Sequence, residues 1–341
     1  MIDADGLRAL RESVAWLPSP HVVELRLTGE HAFELLDRVF ARELYVQDGQ
    51  LRHGLLLDER GLAFADVYVG RDEDDFVLLA EGPTEAELLA YLQRHRPSVA
   101  EDVDVQPEGR TRFGIHGPYA WELLAEVFGP EVVGLPYLTF FREGPITCYR
   151  TGQTGEYGYL LSTSEPAALV ARLVERGTAF DAREIELATL DRAAFESFFF
   201  CIRDPALAAI DPIRAQLQWR IGGSGFVGEE ALPAAVNERL AMARVIGDPG
   251  DARDVTLEGD VVGRLVTLAA TPSLGGSMAT LLLSRPVSHP HIAAFRLGDA
   301  KLRTVTPPPI RPRSLFVNPQ RHAYATREGQ AFPPLVAPEL E

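Results

Sequence analysis

Residues 150–159, RTGQTGEYGY, combine the residue types a flat polar ligand requires. Gly152 and Gly155 flank Thr154, and Glu156 follows the second glycine. Glycine lets the backbone approach a ligand face closely, and a carboxylate can accept two adjacent N–H donors. The same spacing also suits a plain glycine hairpin between two strands. Other chemistry-bearing patterns are missing from the sequence: it has no P-loop, no GxGxxG leading a helix, no HExxH and no GxSxG. His289-Pro290-His291 is the tightest histidine pair, and the intervening proline makes a shared metal ion a poor expectation.

Composition narrows the function classes. The chain has 341 residues, 33 Lys plus Arg and 49 Asp plus Glu, for a net charge of −16. That sign argues against a duplex nucleic-acid partner. No apolar run approaches the ~18 residues a membrane span needs. Two cysteines, Cys148 and Cys201, are too few for a disulfide scaffold or a thiolate zinc site. The acidic start MIDADGLRAL lacks a signal core, so a reducing cytoplasm is the expected setting. Composition says little more: a small-molecule substrate and any oligomeric state are left open by it.

The elements that would position a site alternate along the chain. Leu7, Leu10 and Val14 predict a helix over residues 1–16, ended by Pro18 and Pro20. HVVELRLTG (21–29) predicts a strand, and 30–39 a helix carried by Phe33, Leu36 and Val39. Residues 51–61 and two further short strands form an expected antiparallel meander. PYAWELLAEVFG has proline in the first helical turn and glycine past the last. ITCYRTG and YGYLLST bracket the glycine-rich stretch as strands. The pattern is α+β. The expected domains are 1–221 as an α+β region of two lobes, 222–306 as a small β-barrel, and 307–341 as a surface tail.

On these residues the chain resembles the glycine-cleavage T-protein (aminomethyltransferase) family of folate-binding proteins. RTGQTGEYGY is similar to that family's R-T-G-Y-T-G-E-D-G-Y-E signature. FGIHGPYAWELL, LATLDRAAFES and TPSLGGSMATLLLSRPV resemble further family segments, in family order from about 8 to 306. The resemblance implies ferredoxin-like α+β lobes around a central hole, a C-terminal barrel, and tetrahydrofolate bound in the hole. It implies that Glu196 holds the pterin, with Glu156 and Gln153 shaping the rim and Trp219 near the wall.

The departures bear on the reaction. In GLAFADV (61–67), Ala65 aligns with the family's functional carboxylate and Asp66 with the acid after it. A strand's period of two would turn Asp66 away from the site. His53 replaces a frequent tyrosine, His116 a glutamine and Glu81 an asparagine. GGSGFVG lacks the basic residue linked to the folate tail, a loss Arg214 would have to offset. His53 and His116 are the acid–base candidates, because imidazole titrates near neutrality. The leading reading is a tetrahydrofolate-dependent one-carbon transferase or demethylase, with His53 and Asp66 as catalytic candidates. The rivals are a folate-free enzyme whose hole is filled by Phe198–Phe200, and a non-catalytic folate-binding accessory protein.

Overall fold

The computed structural model describes residues 3–336. The elements run α1 (Ala4–Glu12), β1 (Ala15–Pro18), β2 (Val22–Thr28), α2 (Ala32–Val39), β3 (Leu51–Leu57), β4 (Ala63–Asp72), β5 (Asp75–Glu81), α3 (Glu85–Arg94), β6 (Asp104–Pro107), β7 (Thr111–His116) and α4 (Ala120–Phe128). They continue as β8 (Phe140–Glu143), β9 (Ile146–Tyr149), β10 (Gly158–Thr163), α5 (Pro166–Gly177), β11 (Arg183–Glu184), α6 (Leu187–Glu196) and α7 (Pro205–Ala208). The last six strands are β12 (Glu238–Ile246), β13 (Asp254–Leu257), β14 (Asp260–Thr271), β15 (Gly276–Ser284), β16 (Phe295–Leu297) and β17 (Ala300–Val305).

Three sheets organise these elements. The first lobe has strand order β3-β4-β5-β2-β6, and the second β11-β1-β7-β10-β9-β8. The last six strands close into the barrel β12-β15-β14-β13-β16-β17, as the sequence predicts. In the first lobe one sheet face packs Val67, Val69, Leu78 and Ala80 against Leu35 and Leu36 of α2 and Leu88 of α3. In the second, Ile115, Cys148 and Leu161 pack against Leu123 and Leu124 of α4 and Leu169 of α5. Each sheet thus covers one face with helices, which is how a sheet with one apolar face becomes stable.

The opposite faces of the two sheets meet each other, except along β1, where Ala15 and Leu17 pack under Leu7 and Leu10 of α1 and Leu190 of α6. Leu51, Val77 and Leu79 from the first interlock with Phe140, Tyr149 and Leu160 from the second. Glu24 of β2 is buried in that interface, accepting bonds from Tyr149 (2.8 Å) and Ser162 (2.5 Å) of the opposite sheet. A buried carboxylate is tolerable when its oxygens are satisfied, so this contact also fixes the register of the two lobes.

Two sequence expectations change here. Residues 15–18 are a strand, not the end of the first helix, because Ala15–Pro18 pairs with Phe113–His116. Tertiary pairing overrides the helical spacing of Leu7, Leu10 and Val14. The segment expected as a surface tail instead buries Val317 and Tyr324 in the second-lobe core.

Arg11 of α1 joins distant parts of the chain. It is buried and donates to the Thr154 carbonyl (2.6 Å), the Ala193 carbonyl (2.9 Å) and Glu196 Oε2 (3.2 Å). Replacing Arg11 with Met strands the Glu196 carboxylate without its cation, so we expect a loss of about 3–5 kcal/mol. Urea unfolding checks this. The double variant Arg11→Met, Glu196→Gln should recover part of the loss by removing the stranded charge.

Candidate functional site

The two facing sheets do not touch everywhere. At one end of their interface lies a cleft, lined by His21, Asp66, Tyr68, Leu79 and Glu81 on one side. Gly114, His116, Gly152, Gln153 and Leu160 line it on the other, with Phe199 as a further wall. The gap opens where large apolar pairs give way to glycines and polar residues.

Strand register explains which side chains reach the cleft. Asp66 of β4 pairs with Glu81 of β5, which pairs with Val22 of β2, so these three share a face. Tyr68 pairs with His53 and Leu79, giving the adjacent row on the same face. The register between β3 and β4 slips at one point: Leu56 faces Ala65, but Leu57 faces Ala63. Phe64 is the extra residue of a bulge. Phe64 stacks on Tyr91 of α3 (4.4 Å between rings) and, with Ala65, packs on the helix side. Ala65 is fully buried there, whereas the Asp66 side chain lines the cleft. This corrects the expectation that Asp66 turns away. The bulge places two neighbouring residues on one side and returns Asp66 to the cleft.

Asp66 is clamped at both oxygens. Oδ1 lies 2.7 Å from His53 Nε2, and Oδ2 accepts from Arg220 at 2.6 Å. Burial pushes the Asp66 carboxyl up, but Arg220 and then His53 outweigh it and hold it below the usual range. Burial dominates at His53 and pulls the imidazole down despite Asp66. At neutral pH the pair is therefore a carboxylate beside a neutral ring that donates Nε2–H. His53 stacks on Tyr68 (4.2 Å) and meets the edge of Trp219 (5.9 Å). It braces Asp66 from behind and is not a free acid on the cleft wall. The Arg220 guanidinium sits over the rings of Phe199 (4.8 Å) and Trp219 (4.7 Å), which adds cation–π attraction.

The remaining residues singled out from sequence fall in different places. Gln153 reaches the cleft. Trp219 is 53% exposed and borders an adjoining apolar pocket with Phe198 and Phe199. Glu196 is fully buried and committed to Arg11 and to the backbone N–H of Ser273 (3.1 Å), so its oxygens do not face the cleft. Glu156 accepts from the backbone N–H groups of Arg313 (3.1 Å) and Ser314 (2.9 Å) and from the Ser314 hydroxyl (2.7 Å). It is a fastener for the C-terminal segment, and burial raises its carboxyl above the ordinary range despite Arg11 and these donors. Arg214 is held by Asp211 at 2.5 Å, away from the cleft. The cation that reaches Asp66 is instead Arg220, six residues later in the sequence, which lines the adjoining apolar pocket. No periodicity marks it, because Gln218–Arg220 is a single 3₁₀ turn. Arg203, bound to Glu81 and Asp191, and His21 also went unmarked in the sequence.

His116 lies across two glycines of its own sheet. A Cβ on Gly114 would stand 2.8 Å from His116 Nε2, and one on Gly158 would stand 3.3 Å from Nδ1. Burial pulls this imidazole down to about 4, with His21 adding to the effect. The unfolded chain therefore binds a proton that the folded chain refuses between pH 6.5 and about 4. Stability from this residue is complete above pH 6.5 and declines as pH falls through that window. His116→Gln should flatten the acid side of the stability–pH curve by up to about 3 kcal/mol, read from urea unfolding at pH 4.5 and 7.

Among the described residues, no helix is long and apolar enough to cross a membrane, and no three His, Cys, Asp or Glu side chains are grouped to hold a metal ion. Comparison with known proteins gives one consistent result. The family model of the GCVT N-terminal domain matches residues 2–224. An aminomethyltransferase of Exiguobacterium sibiricum is 25% identical over 294 residues, covering 81% of this chain and 79% of that protein. A probable aminomethyltransferase of Natronomonas pharaonis is 27% identical over 326 residues, covering 88% and 89%. In fold, the chain is similar to the glycine cleavage system aminomethyltransferase T from Bartonella henselae. The TM-score is 0.76 at 20% identity, over 89% of this chain and 88% of that one. With the matched sequence spanning both α+β lobes, the chain belongs to the GCVT (glycine-cleavage T-protein) family.

Proposed function

We propose that this chain is a tetrahydrofolate-dependent one-carbon transferase of the aminomethyltransferase type, with Asp66 as its reacting-site carboxylate. The observation that carries the reading is Asp66 itself, held ionised on the cleft wall by Arg220 and His53. Its position follows from the bulge at Phe64. The cleft suits a reduced pterin. Tyr68 and Phe199 offer aromatic faces, and Gln153 offers an amide with both donors and an acceptor. Tetrahydrofolate, when bound, supplies the nitrogens between which and a small substrate one carbon is exchanged.

The chain's own residues then divide the work. Asp66 places a fixed negative charge where positive charge develops on the migrating carbon, and that charge is preorganised. His53 and Arg220 keep it oriented and ionised. Burial of the clamp keeps water from screening it. Gln153 orients the flat ligand, and Phe199 closes the cleft toward the neighbouring apolar pocket.

One observation favours a second reading, in which the cleft serves a folate-free reaction. Glu196, the residue expected to grip the pterin, is already consumed by Arg11 and Ser273. Calorimetric titration with tetrahydrofolate separates the two. The transferase reading expects micromolar binding, weakened about tenfold by Gln153→Ala. Asp66→Asn should lower one-carbon transfer by about 10²–10³, while leaving folate affinity within a few-fold. Absence of binding at millimolar tetrahydrofolate overturns the transferase reading in favour of the second.

A further inference from the structure

Two imidazoles of the cleft are unaccounted for by the Asp66 clamp. Nδ1 of His21 and Nδ1 of His116 are both buried, and neither has a hydrogen-bond partner. Both rings line the cleft. Buried polar groups are rarely left unsatisfied, because each costs about 1–3 kcal/mol. Two lining one cleft indicate a partner that is not part of the protein. We propose that His21 and His116 form the subsite for the carboxylate of a small organic acid, the second substrate of this cleft.

The construction of the wall supports a built site. His116 lies over Gly114 and Gly158, where any larger side chain would push the ring aside. Its position is therefore set by the absence of two β-carbons. His21 occupies the short connection between β1 and β2 and is near enough to His116 for a charge on one to disfavour a charge on the other. Gly152, on the same wall, leaves further room for a ligand.

The surrounding charges select the ligand class. Arg112 of β7 acts on His21 with positive potential, which favours an anion and repels a cation. Arg112 also has a buried Nε without a partner. A neutral imidazole can present one N–H, and a carboxylate has two oxygens, so two rings and one carboxylate match in number. The acids of the cleft do not cancel this field, because Asp66 is neutralised by Arg220 and Glu81 by Arg203. A compact acid is required, since the same cleft also has to hold the flat ligand. Describing the acid as a second substrate rests on the transferase reading, whereas the anion subsite stands on the cleft lining itself.

The test uses the full chain without folate, with acetate and its neutral counterpart acetamide as probes at constant ionic strength. Histidine ring nitrogens are followed by ¹H–¹⁵N NMR. Acetate should perturb the His21 and His116 rings with a saturable, millimolar affinity, and acetamide should bind at least about tenfold more weakly. His21→Phe should weaken acetate about tenfold with an unchanged thermal midpoint. His116→Gln, which keeps a polar side chain, should retain more affinity than His116→Phe. Should His116→Phe fail to fold, His21→Phe decides alone, since His21 is only partly buried. Equal binding of acetamide, or acetate leaving both rings unmoved through the millimolar range, overturns the proposal. Acetate binding without tetrahydrofolate binding overturns only the transferase reading, and tetrahydrofolate binding without an acetate response overturns only the subsite.

Discussion

The cleft depends on one buried ion pair, Asp66 with Arg220. A carboxylate inside a protein is unfavourable unless it is paired and hydrogen-bonded. Asp66 meets that requirement with a guanidinium at 2.6 Å and an imidazole at 2.7 Å. The guanidinium in turn needs its aromatic surroundings, and it finds Phe199, Phe200 and Trp219. These residues come from the stretch after α6 and from the turn that precedes the barrel. The charge at the centre therefore holds the first-lobe sheet to the segment leading into the C-terminal barrel. Losing the pair would loosen that joint as well as the site.

A second set of polar fastenings lets that arrangement exist. Glu24 bonds the facing sheets through Tyr149 and Ser162. Arg11 gathers the glycine-rich loop, the end of α6 and Glu196. Glu156 ties the same loop to Ser314 in the C-terminal segment. Each fastening joins residues more than a hundred positions apart. The loops that shape the cleft are thus held by buried polar contacts, and the cleft walls are free to carry unsatisfied groups such as His21 and His116.

Much of the scaffold was legible in the sequence. The strands flanking RTGQTGEYGY, the helix with proline before it and glycine after it, and the short strands of the barrel all carry local signals. The site was legible only in part. RTGQTGEYGY marked a loop that the structure uses mainly for fastening, with Gln153 alone among its singled-out side chains facing the cleft. Asp66 was placed on the wrong face because an alternation argument cannot see a bulge, and the bulge depends on Phe64 finding Tyr91. The family resemblance assigns Glu196 to the ligand, and its partner Arg11, 185 residues away, leaves no local signal in the sequence. Arg214 and Arg220 differ by six positions in an irregular segment, so spacing could not choose between them. In every case the missing information was a long-range contact.

The central claim is that the ligand of this cleft meets Asp66 while Glu196 stays on Arg11. A crystal structure of the chain with tetrahydrofolate, prepared under reducing conditions, tests it most directly. The account predicts the pterin between Tyr68 and Phe199, within hydrogen-bond reach of Gln153 and beside Asp66, with the Arg11–Glu196 pair intact. A pterin bound to Glu196 with Arg11 displaced, or held outside the cleft, would contradict it.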